Sequence, residues 1–167
     1  YCTAPKWSVN GKWAVMYDPI AQVWNKFDGA TGKVVNISDA IGYPMFMESY
    51  DKPAPAPAYG IAGWTADGNN VFLYDAYDWW KIDLTGERQP ECLTKGYGRK
   101  HGKSIRKMTS NIDKDVFQKD EKVIVSLWDK DTMDEGVYQL DMKGRLRKLM
   151  EGNYVYTIHR FSDNHEY

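Results

Sequence analysis

Apolar residues come in short runs broken by Gly, Asn, Asp and Pro, and nowhere hold the spacing of a helix face. The pattern predicts strands. Trp13–Tyr17 alternates, Asp18-Pro19-Ile20-Ala21 turns the chain, Val23–Phe27 returns, Asp28–Gly32 turns again, and Lys33–Ile37 completes a sheet. Gly60–Thr65, Val71–Asp75, Trp79–Asp83 and Arg88–Cys92 predict four more strands, with turns at Asp67-Gly68 and Thr85-Gly86. Ser104–Met108, Val123–Trp128, Val137–Asp141 and Leu146–Leu149 predict a third set, and Tyr154–Phe161 alternates as one strand further on. Asn10-Gly11 is a strong turn signal, because tight hairpins need positive φ, which Asn and Gly adopt at little cost.

These runs form a repeat. Trp7-Ser8-Val9-Asn10-Gly11 opens a unit continuing through Tyr17-Asp18, Trp24, Phe27-Asp28, Thr31-Gly32 and Ile37-Ser38. Trp64-Thr65-Ala66-Asp67-Gly68 opens a second, continuing through Tyr74-Asp75, Trp80, Ile82-Asp83, Thr85-Gly86 and Leu93-Thr94. A worn third copy keeps Leu127-Trp128-Asp129, Tyr138, Leu140-Asp141, Gly144 and Leu149. A unit of this size, read as strand and turn in alternation, predicts a blade of a β-propeller. The expected fold is all-β: a partial β-propeller of about three four-stranded antiparallel blades, not closed. Residues 1–167 are expected to be one partial propeller domain, with blades at about 1–39, 60–95 and 104–150 and the start of a further blade at 154–161. The chain begins and stops within repeats, and is expected to be a piece of something larger. Between the first two blades, Ser38–Tyr59 carries Pro44, Pro53, Pro55 and Pro57 and reads as an extended connector, since proline cannot donate to a sheet ladder.

Composition sharpens this. The 167 residues suffice for a packed core, and the seven Trp and twelve Tyr favour strands. A net charge of −1 exerts no global pull on nucleic acid, and no apolar run approaches the roughly 18–20 residues of a membrane helix. Cys2 and Cys92 are too few for a disulfide framework or a zinc site and read as ordinary thiols.

The order Trp-Ser/Thr-x-Asn/Asp-Gly, apolar strand ending in Asp, Trp-x-x-Asp, Thr-Gly, Leu-Thr resembles the TolB-like repeats and the N-terminal propellers of prolyl oligopeptidase and dipeptidyl-peptidase IV serine peptidases. The phrases Gly60-Ile-Ala-Gly-Trp64, Tyr77-Asp78-Trp79-Trp80 and Leu93-Thr94-Lys95-Gly96-Tyr97-Gly98-Arg99 look most like large bacterial secreted members. The likeness covers residues 7–95 well and 120–150 weakly. It implies a non-catalytic propeller segment of a periplasmic or secreted serine peptidase, gating or positioning peptide substrate for a hydrolase domain absent from this chain. The partners so implied are the peptide substrate, through the parent protein, and whatever covers the open blade faces, either the missing blades and hydrolase domain or a second copy. The alternative is a stand-alone TolB-like propeller that binds a protein or glycan. The family's Gly-x-Ser-x-Gly elbow and adjacent substrate-holding glutamates do not occur here; Glu48 is a single acid that fits neither motif. No catalytic, cofactor-binding or metal-ligating residue is therefore assigned, no cofactor is expected, and the substrate-binding residues are unknown.

Several groups invite chemistry and have plainer readings. Asp18, Asp75 and Asp129 end the second strand of each unit, and Asp28, Asp83 and Asp141 precede the outer turn; turn hydrogen bonds explain them better than a metal does. The acidic hairpin Asp129–Gly136 lacks the ligand spacing of a calcium loop. The basic stretch Lys95, Arg99, Lys100, His101, Lys103, Arg106, Lys107 could touch phosphate, but acids flank it at Asp113, Asp115 and Asp120, so no nucleic-acid partner is expected. His101, His159 and His165 share no metal spacing. Trp7, Trp24, Trp64 and Trp80 are expected to pack between blades, with Trp13 and Trp79 turned to the opposite surface, where a sugar or peptide could stack.

Overall fold

A computed structural model describes residues 2–108, 115–152 and 155–156. Among the described residues the chain is all-β apart from one 3-10 turn at Asp39–Ile41 and one helical turn, α1 (Tyr97–Lys100). The strands of the described residues form three separate sheets with no closed barrel.

Sheet 1 is an antiparallel meander of β1 (Lys6–Trp7), β2 (Trp13–Asp18), β3 (Val23–Asp28) and β4 (Val34–Asn36). Sheet 2 repeats it with β5 (Ile61–Thr65), β6 (Asn70–Tyr74), β7 (Trp79–Asp83) and β8 (Glu91–Cys92). Sheet 3 comprises β9 (Lys103–Lys107), β11 (Lys122–Asp129), β12 (Glu135–Asp141) and β13 (Leu146–Gly152). The strands foreseen from alternation lie within a few residues of these bounds. The strand expected at 154–161 falls outside the described residues except for Val155 and Tyr156, which are not in a strand.

Sequence reasoning missed β10 (Val116–Phe117), which adds to the free edge of β5 in parallel, with Val116 opposite Trp64 and Phe117 opposite Thr65. Two residues inside a polar stretch carry no periodicity. Their place depends on Gly63, where a Cβ would lie 2.5 Å from the Phe117 ring and 2.7 Å from the Asp115 carbonyl oxygen. α1 was missed for a similar reason, since one helical turn has no period to detect.

The sheets stack face to face, and the period of two along β6 decides how. Val71 and Leu73 point toward sheet 1 and pack with Val15, Tyr17 and Trp24, together with Trp64, Ile82 and Leu84. Phe72 and Tyr74 point the other way, and with Trp79 they pack against Ile105, Val125, Leu127 and Leu140. Sheet 2 is thus buried on both faces, which explains why β6 is apolar at successive positions. Each fully buried side chain of this size is worth about 1.5–3 kcal/mol.

Candidate functional site

The densest polar chemistry lies where sheet 2 meets the first strand of sheet 3. The tight β6–β7 connection places Asp75 and Asp78 on opposite sides of the turn, both essentially without solvent exposure. Asp75 Oδ1 accepts the Tyr77 and Asp78 amides at 2.7 and 2.6 Å. Its Oδ2 accepts the Trp80 indole N–H at 3.1 Å and Arg99 Nη2 at 3.0 Å. Asp78 accepts the Thr94 hydroxyl at 2.6 Å and the Gly98 and Arg99 amides at 2.9 and 3.0 Å, so it holds the start of α1. Gly98 is required there, because a Cβ would lie 2.6 Å from the Tyr77 carbonyl oxygen.

Two guanidinium groups balance the two carboxylates. Arg106 Nη2 donates to the Asp75 and Ala76 carbonyls at 2.7 and 3.2 Å, and Nη1 to its neighbour Ile105 at 2.8 Å. It lies over the rings of Tyr74 and Tyr59, and burial pulls its pKa down. Burial also pushes the Tyr74 hydroxyl up to about 12. Arg99 sits 3.9 Å from the centre of the Tyr43 ring and 5.1 Å from that of Tyr77. Burial lowers its pKa, but the hydrogen bond and charge of Asp75 outweigh that and raise it. Every charge in the cluster is paired or hydrogen-bonded, so it supplies neither a free general base nor a nucleophile. Its carboxylates are buried, and it meets solvent most at exposed Tyr43 and half-buried Arg99. A guanidinium set beside two aromatic rings is suited to donate to a carboxylate or a peptide carbonyl.

The residues singled out from sequence separate on this structure. Asp18, Asp28, Asp83, Asp129 and Asp141 all cap turns by accepting nearby backbone amides. Asp75 does the same with one oxygen and commits the other to the ion pair, a role its sequence position did not reveal. The available signal was its partner: Asp78 stands where the first repeat has Val23, a carboxylate in place of a β-branched apolar residue.

The basic stretch is not a continuous strip. Arg99 and Arg106 are engaged in the cluster, Lys103 pairs with Glu151 at 2.8 Å, and Lys107 pairs with Asp115 and bonds the Ala62 carbonyl. His101 ends α1 with its ring 4.4 Å from Tyr97, while His159 and His165 lie outside the described residues. At the acidic hairpin, Asp129 caps the Asp131 and Thr132 amides and buried Glu135 accepts the Tyr156 amide. Among the described residues no group of three or more His, Cys, Asp or Glu is placed to hold a metal ion. Exposed Cys2 and half-buried Cys92 are free thiols, and burial raises the pKa of Cys92. Glu48 is exposed on the connector, its backbone amide donating to the Tyr59 hydroxyl.

The tryptophans require corrections. Trp24 and Trp64 pack between sheets 1 and 2 as expected, with half-buried Trp80 against the same cluster. Trp7 does not: it is 53% exposed, because no described sheet faces it. Trp79, read as turned to the opposite surface, where a ligand could stack, is instead fully buried, and Trp13 packs against the inter-sheet core. Register also changes the pairing of repeats. Trp24 lies opposite Tyr17 and Trp79 opposite Tyr74, so Trp79 is the counterpart of Trp24, and Trp80 is not.

No family model matches the chain, and no curated protein matches it. Among solved structures it is similar to a regucalcin, a calcium-binding protein from Agrobacterium tumefaciens strain C58, with a TM-score of 0.38 and 11% identity. That alignment covers 90% of this chain and 43% of the regucalcin chain, so the chain spans less than half of that protein's length. No helix among the described residues is long and apolar enough to cross a membrane.

Proposed function

We propose that the three sheets are consecutive blades of a β-propeller, and that this is a non-catalytic segment of the propeller of a secreted prolyl oligopeptidase-like serine peptidase. The observation that carries the propeller reading is the repeated stacking: the Tyr17–Trp24 face of sheet 1 packs on sheet 2, and the equivalent Tyr74–Trp79 face of sheet 2 packs on sheet 3. The peptidase reading rests on the Trp-Ser/Thr-x-Asn/Asp-Gly repeats and the Gly96-Tyr97-Gly98-Arg99 phrase. Here the segment gates or positions peptide for a hydrolase domain carried elsewhere, and Arg99 beside Tyr43 is the group that meets a peptide carbonyl or carboxylate. The segment itself hydrolyses nothing.

Reading the encoding gene on both sides of these 167 codons, together with a peptidase assay on the purified chain, tests this. The expected result is an in-frame α/β-hydrolase domain with a Gly-x-Ser-x-Gly elbow, and no turnover of proline-containing chromogenic peptides by the 167 residues alone. A gene lacking the hydrolase domain overturns the peptidase reading in favour of a stand-alone binding propeller. Turnover by the chain itself overturns both.

A further inference from the structure

The stack has a direction. Sheets 1 and 2 each have one face bearing a Tyr–Trp pair, at Tyr17–Trp24 and Tyr74–Trp79, with ring centres 5.5 and 5.3 Å apart. Each such face is covered by the opposite face of the following sheet. In sheet 2 the covered opposite face includes the cross-strand row Trp64–Val71–Ile82, at most 6% exposed.

Sheet 1 carries the same row. Trp7 lies opposite Ala14, Ala14 opposite Phe27, and Phe27 opposite Val34. Trp7 packs edge-on against Phe27 at 6.2 Å. Here the two ends of the row are open: Trp7 is 53% and Val34 59% exposed on either side of buried Ala14 and half-buried Phe27, while β5 to β8 have no large apolar side chain so exposed. A position that buries tryptophan in the second repeat and exposes it in the first lacks its partner there, and the chemistry of that partner is set by the interface already formed twice.

We propose that this face of sheet 1 is an interface for another sheet of the same repeat, presenting a Tyr–Trp face and carried on a longer stretch of the same polypeptide. The inference rests on the propeller reading above and is independent of the peptidase reading. It extends the inter-sheet contact by one step, with Trp7, Ala14 and Phe27 standing where Trp64, Val71 and Ile82 stand inside the stack, and Val34 continuing the row onto β4.

The double substitution Trp7→Lys with Val34→Lys is compared in the 167-residue chain and in the polypeptide carrying every contiguous repeat of its gene. In the chain alone, the urea midpoint is expected to stay unchanged while binding of an apolar dye falls. In the longer polypeptide, the folded-to-unfolded ratio is expected to drop about 100-fold, because two ammonium groups would be buried unpaired. Trp7→Phe with Val34→Ile, which keeps the face apolar, is expected to hold it within about tenfold. Equal effects in both polypeptides overturn the proposal, as does a gene with no contiguous repeat. A dimer of the 167-residue chain that the lysines dissociate also overturns it, making a second copy the occupant. A longer polypeptide with further repeats but no Gly-x-Ser-x-Gly domain would end the peptidase reading and leave this one standing.

Discussion

Trp24 and Trp79 occupy equivalent places and bury equivalent rings, yet their indole N–H groups fare differently. Trp79 Nε1 donates to the Ile105 carbonyl at 3.2 Å across the sheet 2–sheet 3 interface. Trp24 Nε1 is buried and has no hydrogen-bond partner among the described residues. A buried donor without an acceptor costs free energy, whereas a made bond is worth a net ~1 kcal/mol. Trp79→Phe should therefore destabilise the fold by about 1–2 kcal/mol more than Trp24→Phe, since ring contraction is common to both. Urea denaturation of the two variants checks the difference, and equal losses would mean the Ile105 bond contributes nothing. At this scale the sequence was legible where it concerned turns. The aspartate turns follow from Asp chemistry alone, whereas the Asp75–Asp78–Arg99–Arg106 cluster does not. Its members lie far apart in sequence, and only a fold that brings Arg99 and Arg106 beside the Asp75–Asp78 turn makes them one unit.

Strands were legible where a short apolar run is bounded by turn residues, as along β11 and β12, which pair as a hairpin. β10 was not, because two residues define no period and the parallel pairing with β5 comes from tertiary contact. The missing signal was Gly63, which reads in sequence as one more small residue in a crowded strand. Its backbone φ of 156° and the Phe117 ring against its Cα leave no space for a side chain. Phe117 is 2% exposed and packs 5.7 Å from Phe72 and 6.1 Å from Trp79, so it cannot simply swing away. Gly63→Ala should thus cost about 1–3 kcal/mol, the range for overpacking a filled core. Gly86→Ala is the control, since its turn has open space for a Cβ and only the positive φ to pay for, at roughly 1 kcal/mol. Thermal unfolding of both variants decides the matter: a Gly63→Ala loss no larger than that of Gly86→Ala would show that Phe117 and β10 can move aside.

For the molecule as a whole, the repeat foretold three stacked sheets, but not the direction of stacking, which depends on register. That register also places the acids so that they act together on stability. Backbone amides lower the carboxyls of Asp18, Asp28 and Asp129 below their ordinary range, and the Thr65 hydroxyl does so for Asp67. At Asp83 and Asp141 burial pushes the other way and is outweighed by the turn hydrogen bonds. Glu151 is brought down to about 2 by Lys103 on β9 and Lys148 on its own strand. These groups ionise more readily folded than unfolded, where Asp and Glu titrate near about 3.9 and 4.3. The unfolded chain therefore binds more protons in this window, and stability present above about pH 4.3 should drain away as pH falls toward about 2. At the alkaline end the sign reverses. Tyr74 and Tyr138, raised by burial to about 12, favour the folded state below their unfolded value of about 10, and that contribution is lost as pH rises through about 12. The melting temperature should thus be flat near neutrality and fall on both sides. Glu151→Gln should reduce the acid slope between about pH 4.3 and 2 by a modest amount, because its ion pairs are partly solvated and screened by salt. Melting curves at pH 7, 4 and 2.5 for the parent and variant test this, and an acid slope indifferent to Glu151→Gln would remove the Lys103–Glu151–Lys148 group from the account while leaving the aspartate turns in place.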